Sequence, residues 1–177
     1  MPPDLLLRAV LIGVGATLVM DLWALLLKRL FGAPSLDYAL VGRWIGHLPR
    51  GRLTHPGIAR SAPVAGERAI GWIAHYAIGI LFALLLLAIW GPAWAARPTL
   101  LPALIVGIAT VAAPFLILQP GMGAGVAASR TPKPGVARLR SLMAHASFGV
   151  GLYLAGWVAA ASLDAWGPRF ANFTQGF

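Results

Sequence analysis

Ala74-His75-Tyr76-Ala77-Ile78-Gly79 recurs further along the chain as Ala144-His145-Ala146-Ser147-Phe148-Gly149. Each copy lies in a long apolar run and sets an Ala-His pair ahead of a Gly. Residues four apart share a face of a helix, so each His stands above a Gly notch where another backbone or a flat ligand can approach. The echo extends outward. Arg68 and Arg138 precede the two copies at the same offset, and Trp90-Gly91-Pro92 and Trp166-Gly167-Pro168 close the two runs. The runs before them also match, Leu11-Ile12-Gly13-Val14-Gly15-Ala16-Thr17 against Leu104-Ile105-Val106-Gly107-Ile108-Ala109-Thr110. The reading is an all-α protein of two helical hairpins fused head to tail, a parallel internal repeat.

What solvent such helices need follows from composition. The 177 residues are 59% hydrophobic and 11% charged, and the mean hydropathy is +0.78. These values lie outside the range of soluble globular domains. About 20 apolar residues cross the hydrocarbon core as a helix. Four charge-poor runs near 5–27, 69–90, 99–118 and 141–163 meet that length, so the whole chain, 1–177, reads as one integral membrane four-helix bundle.

The net charge of +9 raises the question of a nucleic-acid partner, and the placement of the charges answers it. Lys28, Arg29, Arg43, Arg50, Arg52, Arg60 and Arg68 fall between the first two runs, and Arg130, Lys133, Arg138 and Arg140 between the last two. Only Arg8, Arg97 and Arg169 belong to the opposite side. The positive-inside rule then makes 28–68 and 119–140 cytoplasmic loops and puts both termini outside. No nucleic acid is needed. The basic face is expected to meet anionic lipid headgroups of an inner (plasma) membrane. Cys is absent, which removes disulfides, thiolate metal sites and Cys nucleophiles. Met1-Pro2-Pro3-Asp4 lacks the basic region of a secretory signal, so the first run reads as a retained helix.

Gly13, Thr17 and Asp21 form a small and polar stripe on the first helix that should face the bundle, because a carboxylate within a span turns toward protein or a watery cavity. Trp23 belongs at the interface. In the first loop, Ser35 is expected to cap a short amphipathic helix through Tyr38, Val41, Trp44 and Leu48, with Asp37 in its first turn, lying on the membrane surface with Arg43 toward headgroups. Pro114, matched in the repeat to Asp21, should kink the third helix. Gln119-Pro120-Gly121-Met122-Gly123-Ala124-Gly125 reads either as an unwound or re-entrant segment, with Pro120, Gly121, Gly123 and Gly125 as its breakers, or as an interfacial turn. Ser147, Gly151, Ala155 and Ala159 make a small-residue seam suited to close packing within the bundle or across a dimer. The Asn172-Phe173-Thr174-Gln175 tail is expected outside the membrane.

Gly46-His47-Leu48-Pro49-Arg50-Gly51, Thr54-His55-Pro56-Gly57-Ile58, Gly71-Trp72 with His75-Tyr76 and Gly79, and Leu118-Gln119-Pro120-Gly121-Met122-Gly123 together resemble a bacterial inner-membrane family catalogued only as a domain of unknown function. The resemblance runs over nearly the whole chain. It implies a four-helix inner-membrane protein, and no activity, substrate or catalytic residue.

Candidate sites come from the residues themselves. Counted from Lys28, Arg68 and Arg140, the Asp21, His75 and His145 side chains all lie roughly 8 to 10 Å inside the cytoplasmic boundary. With Thr17 and Gln119 they form a candidate intramembrane polar cluster. Three readings stand: neutral imidazoles that lock helices, a proton or ion relay in which Asp21 pairs with a His, and bis-His haem ligation by His75 and His145. His47 and His55 do not have a recognised metal-ligand spacing, and the glycines of 121–125 lack the strand and the Lys-Ser/Thr ending of a phosphate loop. No Ser-His-Asp or paired-carboxylate arrangement is visible, so the residues lean away from an enzyme. Small-solute, ion or proton-linked transport is the leading expectation, by a homo-oligomer or with a membrane protein partner. An accessory or assembly subunit and a haem-bearing electron carrier are the alternatives.

Overall fold

The computed structural model describes residues 3–174, with side chains for 4–162. The helices are α1 (Pro3–Phe31), α2 (Tyr38–His47), α3 (Glu67–Ala96), α4 (Leu100–Ala109), α5 (Gln119–Met122) and α6 (Pro134–Thr174). Among the described residues there is no strand. Four stretches are long and apolar enough to cross a membrane: Asp4–Phe31, Glu67–Ala96, Leu100–Met122 and Pro134–Ser162. In the first three only 22% of the most apolar window is buried, and Ile73 and Leu101 are 70% and 69% exposed. Helices this apolar all round, with most of that surface outward, have lipid as their solvent. This is a membrane protein.

The helices outrun the expected spans, and their ends explain why. Lys28 and Arg29 sit in the last turn of α1, where cations complement the helix dipole. Gly32 at φ +62° then turns the chain, with its N–H on the Lys28 carbonyl and the Ala33 N–H on the Leu27 carbonyl. Trp90-Gly91-Pro92 bends α3 instead of ending it: Gly91 takes φ 72°, ψ −171°, and the helix resumes to Ala96. Trp166-Gly167-Pro168 likewise falls inside α6. The side chains of that motif and of Arg169, and the tail from Asn172 to Gln175, lie outside the described side chains.

Pro114 interrupts the third span as expected. Its nitrogen has no hydrogen for the Thr110 carbonyl, so α4 stops at Ala109 and the chain widens into a π turn over Pro114–Leu118. Pro120 and Gly121 remain helical in α5, and the unwound stretch begins only at Gly123, φ +95°. Asp37, not Ser35, caps α2, its carboxylate accepting the Ala39 N–H at 2.9 Å.

α1 packs on α3 and α6, and α6 on α4, while α3 and α4 touch far less, so the four spans form a ring that is open on one side. The crossings are made at glycines. A Cβ on Gly79 would strike the Thr17 hydroxyl, and one on Gly13 the Ile80 backbone; one on Gly107 would strike the Gly149 backbone. Gly15 meets Ala155 and Gly151 meets Ala16, so the small-residue seam of α6 is taken up by α1 of the same chain. Ile12, Leu86, Leu87 and Leu152 fill the space between.

Candidate functional site

The polar stripe of α1 faces inward as its spacing requires. Thr17, 1% exposed, donates to the Gly13 carbonyl at 2.8 Å, which satisfies its hydroxyl within its own helix. One turn further on, the Asp21 carboxylate leaves α1 toward α3. His75 Nε2 lies 3.0 Å from Asp21 Oδ1, and the Tyr76 hydroxyl donates to Oδ2 at 3.0 Å. Tyr38 reaches the same place from α2, its hydroxyl 2.9 Å from His75 Nε2 and 3.4 Å from Asp21 Oδ1.

Stacking fixes the geometry. The Tyr38 and His75 rings lie 4.2 Å apart at 29°, and Trp72 covers Tyr38 at 4.4 Å. His75 and Tyr76 stand three and four residues after Trp72, which puts both beside it on one face of α3. That spacing was visible in the sequence and went unread. Tyr38 had no such signal, because it arrives from a separate helix.

What brings Tyr38 there is the docking of α2 on α3. A Cβ on Gly42 would overlap the Glu67 carbonyl, and one on Gly71 the Tyr38 carbonyl, so the two helices touch backbone to backbone. Arg43 clamps the pair. Its Nε and Nη2 donate to Glu67 Oε2 and Oε1 at 2.8 and 2.7 Å, and its Nη1 donates to the Ala59 and Ser61 carbonyls. Arg43 is thus a lock between α2, α3 and the intervening loop, not a headgroup contact, because a bidentate carboxylate partner outcompetes solvent for a planar guanidinium.

Burial, and then the neighbouring Asp21 charge, push the Tyr38 phenol well above its usual range. Tyr38 therefore keeps its proton and acts as a donor with two acceptors in reach. When His75 Nε2 carries hydrogen it donates to Asp21 Oδ1; when Nε2 is bare, the Tyr38 hydroxyl turns to it. The same heavy atoms hold both arrangements, at distances suited to proton transfer.

His145 has different company. Its Nδ1 lies 3.0 Å from the Thr110 hydroxyl and 3.3 Å from the Gly107 carbonyl, and Thr110 donates to that same carbonyl at 2.7 Å. This is a brace between α4 and α6, beside the break that Pro114 makes after Thr110. Gln119 stands apart as well, its Nε2 donating to Ser141 at 3.2 Å while its Oε1 is buried without a partner. Of the five residues expected in the polar cluster, hydrogen bonds join Asp21 and His75, whereas Thr17, His145 and Gln119 bond elsewhere.

The basic end of the ring holds a second polar assembly. The His55 N–H donates to the Gly121 carbonyl at 2.9 Å, and Gly121 packs on the Trp44 indole, joining the loop after α2 to the turn after α5. His47 and His55 meet edge to face at 5.0 Å; His47 Nε2 donates to the Ala62 carbonyl at 3.0 Å. Among the described residues no three His, Asp or Glu side chains converge on a metal position.

The chain matches no curated protein and no solved structure. The family model described as Protein of unknown function (DUF2938) matches residues 10–159, which takes in Asp21, Tyr38, the Trp72-His75-Tyr76 face, His145 and both basic loops. With most of its length matched, the chain belongs to the DUF2938 family of proteins of unknown function.

Proposed function

We propose that the protein links the movement of a small solute or ion across its membrane to a proton held by Asp21, His75 and Tyr38. The observation that carries the reading is the Asp21 carboxylate, placed within a span yet met on both oxygens by groups able to give or take a proton. An ionisable group at that depth is costly unless it serves a pathway or a pair. The recurrence of the Ala-His motif in two apolar runs adds support when read as a parallel repeat, since such repeats recur in small transporters with sites near the repeat interface. In this reading the basic loops face the cytoplasm and the membrane is the plasma membrane.

The alternatives draw less from the geometry. The seam that would dock an accessory subunit's partner is occupied by α1, and both histidines offered to a haem already bond within the protein. The test is reconstitution into vesicles carrying an internal pH-sensitive dye. Asp21→Asn should lower proton flux about a hundredfold, the scale on which a positioned acid or base acts, and His75→Ala should do likewise. If both variants carry the flux of the parent, the reading fails.

A further inference from the structure

Between the loop after α2 and the turn after α5 lies a crevice of about 560 Å³, lined by Thr54, His55, Pro56, Gly125, Ser129 and Arg130 among others. Its walls are held in place. His55 is tied to Gly121 through the backbone, and Gly123 abuts the His55 and Pro56 backbone so closely that a Cβ would not fit. The opposite wall turns through left-handed residues, Gly125 at φ +76°, Ala127 at +46° and Ala128 at +59°. Arg138 and Thr131 brace it by donating to the Ala127 and Ala128 carbonyls, both at 2.8 Å.

The chemistry of the lining is one-sided. His55 is 8% exposed; its Nδ1 lies 2.9 Å from the Ser61 hydroxyl, and its Nε2 is buried with no partner. The tautomer in which Ser61 donates to Nδ1 puts the ring proton on Nε2, which has no acceptor within the chain. Buried side-chain nitrogens are mostly hydrogen-bonded, so an unpartnered one leaves room for a water, an ion or a ligand. Arg130 lies at the exposed side, and its guanidinium takes no hydrogen bond or ion pair among the described residues. Thr54 and Ser129 add hydroxyls. Among the described residues no carboxylate lines the crevice, and Glu67 is already engaged by Arg43. A guanidinium and two hydroxyls in a lining that holds no carboxylate, with an unpartnered imidazole nitrogen behind them, describe a site for an anion with several oxygens.

We propose that this crevice binds a phosphate group, presented either by an anionic phospholipid at the basic face or by a soluble phosphate compound. The place suits a lipid headgroup, because the crevice is built from the two stretches, 28–68 and 119–140, that also carry Arg50, Arg52, Arg60, Lys133, Arg138 and Arg140. It is separate from the Asp21–His75 group, so its failure leaves the transport reading standing.

The experiment uses the full chain in neutral detergent and follows its thermal unfolding. Inorganic phosphate is titrated in one arm, and phosphatidic acid in mixed micelles, against phosphatidylcholine, in the other. Stabilisation by phosphate supports a soluble ligand; stabilisation by phosphatidic acid alone supports a lipid headgroup. In either case Arg130→Gln should weaken the response about tenfold, equivalent to about 1.4 kcal/mol, and Arg130→Lys should keep most of it. Arg52→Gln, in the same basic face and not in the lining, should leave it intact. The proposal is overturned if neither probe stabilises the protein, or if Arg52→Gln weakens the response as much as Arg130→Gln does, which would reveal only diffuse attraction.

Discussion

The two histidine motifs begin alike and end in different chemistry. In both hairpins the Gly four residues after the His makes the helix crossing: Gly79 receives Thr17 from α1, and Gly149 receives Gly107 from α4. Yet His75 bonds a carboxylate and a tyrosine, whereas His145 bonds a threonine and a backbone carbonyl. The cause is on the facing helix. Where α1 carries Asp21, the third span carries Pro114, which supplies no proton-bearing group and breaks the helix beside Thr110. The N-terminal hairpin also has α2 laid across it, delivering Tyr38. The motif thus sets where helices touch, and the partner helix decides what the imidazole does.

The shared part of that comparison should give the largest effect. Gly79→Val places its side chain against Thr17, and Gly107→Val against the Gly149 backbone. Each should destabilise the protein by about 3 kcal/mol, the upper range for overpacking against groups that cannot move away. Thermal unfolding in detergent measures it, with Gly135→Ala as control, since a Cβ there meets nothing within 4 Å. Equal losses at Gly79 and Gly107 would support equivalent crossings. A harmless Gly107→Val would break the equivalence.

The unshared part predicts a reciprocal pattern. His145 is buried, and His145→Ala leaves a cavity while Thr110 keeps its own Gly107 bond; it should cost about 2 kcal/mol of stability and leave proton flux unchanged. His75→Ala should cost about half as much in stability while removing the flux. Measuring both quantities on both variants separates brace from relay. Loss of flux in His145→Ala at retained stability would return His145 to the working cluster.

How much of this was legible in the sequence follows the same division. Hydropathy and length exposed the four spans, and the Gly13, Thr17, Asp21 stripe faced inward as its period demands, because those signals are local. Pro114 announced its break for the same reason. Helix ends were misjudged by several residues, since Lys28 and Arg29 read as a boundary but serve as the last helical turn. The pairing of Asp21 with His75 and not His145 was one of several open choices: depth puts all three level, and only lateral packing selects the pair. Arg43 read as a headgroup contact because the Glu67 that claims it lies 24 residues away. The His47–His55 meeting follows from the loop fold between them, which their eight-residue spacing does not encode.

The smallest expected effect tests whether α2 truly belongs to the His75 side. Burial and the Asp21 charge raise the Tyr38 phenol above its unfolded value of about 10. Above about pH 10 the unfolded chain releases this proton and the folded one does not, so the unfolded state binds fewer protons and stability falls as pH rises. One group accounts for up to about 1.4 kcal/mol per pH unit, and the loss continues until the folded phenol itself ionises. In Tyr38→Phe this contribution vanishes, so the parent and the variant should converge in stability between pH 10 and 11 from a difference that is constant below that range. A difference that stays constant through alkaline pH would mean that the Tyr38 hydroxyl is open to water, and that α2 covers the Asp21–His75 pair only loosely.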